Sequence, residues 1–120
     1  MNDADRQKPP PGALYVDHVS HFVADLEAAA AVFQSLGFRV TPLSVQQVDG
    51  KPAGASNRCV MLAEGYIEIL SPTHATPVAK RMRALMKRYA GVHLVCFGTP
   101  DAAGEHQRPG SQLLDGAEVM

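Results

Sequence analysis

Between Leu14 and Gly37 the hydrophobic period changes once, and that change constrains the chain more than any other feature. In LYVDHVSHFV, apolar β-branched and aromatic residues alternate with polar ones. This predicts a strand with Leu14, Val16, His18, Ser20 and Phe22 on one face and Tyr15, Asp17, Val19, His21 and Val23 on the other. Asp25 then offers an N-cap, Leu26, Ala29, Ala30, Phe33 and Leu36 recur at helical spacing, and Gly37 supplies a left-handed stop. A strand followed by a capped helix over Leu26–Leu36 must bury the helix stripe against a sheet, so the chain reads as α+β.

The remaining elements follow from local signals. FRVTPLSV predicts a second strand broken at Thr41 and Pro42, because proline cannot donate to a ladder and so belongs at an edge or bulge. Residues Gln46 to Ser56 carry turn chemistry, and NRCVMLAEGYIEIL is a hairpin folded about Glu64 and Gly65. From Pro77, the residues Val78, Met82, Leu85, Met86 and Tyr89 form an apolar helical stripe. Lys80, Arg81, Arg83, Lys87 and Arg88 lie outside that stripe, which reads as a solvated face in preference to a membrane or partner surface. VHLVCF is a further strand, and a helix starts at Pro100 and Asp101 and stops before Pro109 and Gly110.

Length favours one domain over two. Residues 1–13, rich in proline, read as a flexible leader, 14–108 as the domain and 109–120 as a tail. The formal net charge is -1 with interspersed signs, which argues against nucleic acid and an anionic membrane as partners. Cys59 and Cys96 sit inside apolar strands, and no signal peptide or membrane span is evident, so reduced thiols in a cytoplasmic protein are expected.

The step from His18 to Asp25 is echoed by His93 and Asp101, a strand followed by a helix start in both places. With this order of elements, DHVSHFVADLEAAAAVFQSLGFRV and NRCVMLAEGYIEIL resemble the first βαβββ module of the vicinal-oxygen-chelate superfamily, which includes glyoxalases, bleomycin-resistance proteins and extradiol dioxygenases. The resemblance is closest to the glyoxalase-like branch. The features that carry it are a His inside the first strand, the Asp cap, the Leu-Gly-Phe exit at Leu36 to Phe38, and Gly-Tyr-Ile-Glu-Ile at Gly65 to Ile69. It covers Leu14 to about Arg108, one βαβββ module plus the first strand and helix start of a second, with the second module cut short.

Members of this superfamily hold a divalent metal with a His from each module's first strand and a carboxylate from each last strand. The resemblance implies His18, Glu68 and His93 as metal ligands, with no counterpart to the fourth because Glu118 lies in the tail. Two imidazoles and a carboxylate suit Zn, Ni, Mn, Co or Fe. The implied chemistry is Lewis-acid polarisation of vicinal oxygens in a small molecule, with Glu68 also serving as proton-transfer base, as in a lyase, isomerase or dioxygenase. Asn57, Arg58 and Tyr66 are candidate substrate contacts, and Arg58 alternatively a salt-bridge mate for Glu68. A homodimer, with modules swapped between chains, would supply the missing strands. The alternatives are a metal-free protein that sequesters a small molecule, in the manner of bleomycin resistance, and an inactive truncated homologue.

Overall fold

A computed structural model of the chain describes residues 14–107, so the leader at 1–13 and the tail at 109–120 fall outside the described residues. The chain divides into two compact units, Val16–Cys96 and a smaller one whose described residues are 14–15 and 97–107. The elements in order are β1 (Tyr15–Phe22), α1 (Leu26–Ser35), β2 (Arg39–Val40), β3 (Ser44–Val48), β4 (Lys51–Met61), β5 (Tyr66–Pro72), α2 (Pro77–Arg88), β6 (Gly91–Gly98) and α3 (Ala102–His106). The strands form one mixed sheet in the order β2-β4-β5-β1-β6, with β3 also on β4.

Strand β1 runs parallel to β5 and β5 antiparallel to β4. Parallel neighbours need a crossover, and α1 with the strands that follow it provides one. The helix begins where Asp25 Oδ1 accepts the Ala28 amide at 3.0 Å and ends at Gly37, whose φ of +93° few other residues tolerate. Its expected last residue, Leu36, is the C-cap. Leu26 and Ala30 pack against Val60 and Ile69, joined by Val23, Phe33, Val40 and Ile67.

Helix α2 covers the opposite face. Thr76 caps it, and Met82 packs with Phe22, Ala55 and Leu70, flanked by Val78, Leu85, Met86 and Leu94. Burying each large side chain of these two clusters contributes about 1.5–3 kcal/mol. Together they fix which face each strand residue takes.

The second strand breaks at Thr41 and Pro42 as its sequence predicts, with both pieces pairing to β4. At the break Thr41 Oγ1 accepts the Cys59 amide at 2.8 Å, replacing the lost ladder acceptor. The expectation of turn chemistry across Gln46–Ser56 is corrected. Only Asp49 and Gly50 turn, both at positive φ (54° and 75°), and residues on either side pair as the β3–β4 hairpin. Pro52 and Gly54 mislead there: Pro52 sits opposite Gln47 beside the hairpin turn, and Gly54 allows close approach of the α2 cap, since a Cβ would overlap Thr76 Oγ1.

Candidate functional site

Alternation along three neighbouring strands builds the site. Phe22 and Leu70 belong to the cluster beneath α2, so His18 and Ser20 on β1, and Tyr66 and Glu68 on β5, share that face. The register sets Ser20 beside Glu68 and Glu68 beside Cys59, with Asn57 next along β4 on the same face.

Glu68 is the centre of a hydrogen-bond network. Ser20 Oγ–H donates to Glu68 Oε1 and Asn57 Nδ2–H to Oε2, both at 2.6 Å. His18 Nε2 stands 3.9 Å from Oε1, and the two side chains keep only 16% and 12% of their exposure. A carboxylate this buried needs donors to offset its lost hydration, and Ser20 and Asn57 supply them. The His18 ring stacks on Tyr66, centroids 4.4 Å apart at an interplanar angle of 10°. Asp17 Oδ2 lies 2.8 Å from His18 Nδ1. An ionised carboxylate only accepts, so Nδ1 carries the proton and the ring turns Nε2 toward Glu68.

The charge of this network acts on the groups around it. Burial, then the Glu68 charge, pushes the Cys59 thiol above its ordinary range, with a Thr41 hydrogen bond opposing. Cys96 is raised by burial, then by Glu68 and Asp17, and Tyr66 by burial, then by Asp17, the two thiols and Glu68. Raised thiols are poor nucleophiles.

Of the residues singled out in the sequence, His18, Glu68, Asn57 and Tyr66 come together. His93 does not join them. Its ring stacks on Tyr89 (4.1 Å) and Phe22 (5.1 Å), and its Nε2 lies 3.0 Å from the Tyr89 carbonyl. Leu94, next in β6, packs with the cluster beneath α2, and Cys96, of the same parity as Leu94, feels Glu68. Arg58 also stands elsewhere. It lies opposite Ile69, on the α1 face, with Nη1 donating to Glu27 Oε2 at 2.7 Å and Nε to the Thr41 carbonyl at 2.9 Å. It is therefore not the salt-bridge mate of Glu68. Sequence reasoning assigned no role to Ser20 or Asp17; the signal for Ser20 was its parity with His18, but its partner depends on the register.

Among the described residues no three His, Cys, Asp or Glu side chains are arranged to hold a metal ion. His18 and Glu68 form a facing pair of donors, and the third expected donor is held elsewhere, so the described residues do not fit a complete metal site. Among the described residues, no helix is long and apolar enough to cross a membrane.

The family model of the glyoxalase-like domain matches residues 16–120. This chain belongs to that family. Its place in the vicinal-oxygen-chelate superfamily follows, and solved structures share the fold. Methylmalonyl-CoA epimerase from Streptomyces coelicolor, a single-site variant in complex with 2-nitronate-propionyl-CoA, superposes with a TM-score of 0.61 at 23% identity, covering 87% of this chain and 72% of the epimerase. The Mycobacterium tuberculosis epimerase gives 0.63 at 24%, covering 81% and 63%. A hypothetical protein from Bacillus halodurans C-125 gives 0.62 at 19%, covering 90% and 71%. At these identities the likeness extends to the glyoxalase-like fold alone. No curated protein matches the chain by sequence.

Proposed function

We propose that this glyoxalase-like domain is an isomerase that moves a proton at a carbon next to a carbonyl in a small oxygenated molecule. The observation that supports this most is the Glu68 carboxylate, held by Ser20 and Asn57 and facing His18 Nε2 across 3.9 Å. Each Glu68 oxygen uses one lone pair on its donor and keeps another for the substrate. Glu68 takes the proton from carbon, the bonding pair moves into the carbonyl, and negative charge develops on that oxygen. When Nε2 also carries a proton, the His18 ring, its Nδ1–H on Asp17, donates Nε2–H to this oxygen. The pair then collapses back, the carbon takes a proton from solvent on its other face and Glu68 gives the abstracted proton up to solvent, so the configuration at that carbon inverts. Tyr66 fixes the ring plane by stacking and lines the site.

A second reading is favoured by the convergence of His18 Nε2 and Glu68 Oε1. A divalent metal (Zn, Ni, Mn, Co or Fe) would take these two as ligands and would need others from outside the described residues, such as a second copy in a module-swapped homodimer. It would polarise the substrate oxygens as a Lewis acid.

The test is turnover of carbon acids, methylmalonyl-CoA first because structural neighbours are its epimerases, by the wild-type chain, Glu68→Gln and His18→Ala, each with and without chelator. Loss of about 10²-fold or more in Glu68→Gln, with chelator having no effect, supports the metal-free route. Loss on chelation and recovery with one metal favours the second reading. Tight binding without turnover by the wild type contradicts both and points to a sequestering protein.

A further inference from the structure

Helix α2 has two unlike faces. Val78, Ala79, Met82, Leu85 and Met86 turn to the sheet, while Lys80, Arg81, Arg83, Lys87 and Arg88 are exposed. The chain carries 11 cationic side chains against 12 carboxylates; five of the 11 lie on this helix, leaving six against all 12 elsewhere. No carboxylate occurs in the sequence between Glu68 and Asp101. The ion pairs formed among the described residues involve none of the five cations.

The position of the helix gives this charge a direction. Met82 rests on Ala55, Leu70 and Phe22, so α2 crosses the sheet two residues beyond Glu68 and Ser20, a step of roughly 7 Å along the strands. Arg83 Nη1 donates at 2.9 Å to the carbonyl of His74, which lies past the Pro72 end of β5, so the Arg83 flank looks away from Glu68. At 3.6 residues per turn, Arg81 and Arg88 share the opposite flank, the one that looks along the sheet toward Glu68, about 10 Å apart.

We infer that Arg81 and Arg88 form a phosphate-binding subsite for the handle of the substrate whose reacting carbon lies at Glu68, so that the substrate class is a carbon acid carried on a phosphate-bearing group. The inference rests on the reading of Glu68 given above. Guanidinium groups match phosphoryl oxygens in a planar fork, and two of them at this spacing can grip two separate phosphoryl groups. A charged handle held away from the reacting carbon supplies binding energy without neutralising the base. The apolar face of α2 is already buried on the sheet, which removes the surface a bilayer would need, and the cationic arc contains only Ala84 as an apolar residue, too little for the core of a protein interface.

The test is calorimetric titration of the full chain with coenzyme A, ADP and inorganic pyrophosphate. Two double variants remove equal charge from exposed positions: Arg81→Glu with Arg88→Glu on the flank toward Glu68, and Lys80→Glu with Lys87→Glu on the outer ridge. Coenzyme A and ADP are expected to bind the wild type, to weaken about tenfold or more in the arginine pair, and to change less than about threefold in the lysine pair, because screened charge at a distance counts for little. Failure of both organic phosphates to bind, or equal losses in the two pairs, overturns the inference. Pyrophosphate binding as tightly as coenzyme A would also overturn it, in favour of an inorganic-anion site. Glu68→Gln should still bind ADP like the wild type. Handle binding without proton transfer would count against the catalytic reading alone, and turnover without handle binding against this one alone.

Discussion

Ser20→Ala probes the network that organises the site. Ser20 is fully buried, and its hydroxyl makes a 2.6 Å charge-assisted hydrogen bond to Glu68 Oε1. Such bonds contribute about 1.5–3 kcal/mol, and removing the donor leaves one carboxylate oxygen short of a partner. Glu68 keeps its bond from Asn57 and 12% of its side-chain exposure, through which water can reach it, so the lower half of that range applies, about 2 kcal/mol. With a urea m-value of about 1–3 kcal/mol/M, the unfolding midpoint should fall by roughly 1 M. The assay is urea unfolding followed by circular dichroism, with Glu68→Gln and the double variant closing a cycle that isolates the coupling. A loss below about 0.5 kcal/mol for Ser20→Ala, or a coupling near zero, would refute the network as the force that positions Glu68.

Gly65→Ala should destabilise by about 1–3 kcal/mol in the same assay, because Gly65 sits at φ +79° and an added Cβ would lie 2.5 Å from the Asp17 carbonyl oxygen; a loss within error would mean the hairpin end can move away from β1. Stability should also fall on the alkaline side. Burial raises Cys59, Cys96 and Tyr66 in the folded chain, so their contribution is whole below the ordinary thiol value of 9.0 and is lost as pH rises through that value and past 10.0 toward the folded-state values. A thermal midpoint that stays flat from about pH 8 to 11 would contradict this. Arg58→Ala should leave ligand affinity unchanged, since its partners are Glu27 and Thr41 on the α1 face, and should cost about 1 kcal/mol of stability. A tenfold loss of affinity would return Arg58 to the site.

What the sequence made legible is what local chemistry decides. Alternation in β1 and β5 set the faces of His18 and Glu68, and Asp25 and Gly37 bracketed α1, because period and capping are properties of short segments. The partners of Glu68 were not legible in the same way. That Ser20 and Asn57 meet it depends on the register of β5 against β1 and β4, which no single segment encodes. His93 shows the same limit: its strand is real, but its ring is taken up by Tyr89 and Phe22. The β3–β4 hairpin was obscured by Pro52 and Gly54, whose ordinary meaning is a turn; Gly54 is required by the close approach of Thr76 and Pro52 is accommodated next to the hairpin turn.

Solvent hydrogen exchange tests the role of Glu68 most directly. Carbon acids, including methylmalonyl-CoA, are incubated in D2O with the wild-type chain or Glu68→Gln, and deuterium at the carbon beside the carbonyl is read by mass spectrometry. Incorporation is expected with the wild type, and at a rate lower by about 10²-fold or more with Glu68→Gln. Equal incorporation by the two proteins would contradict Glu68 as the base.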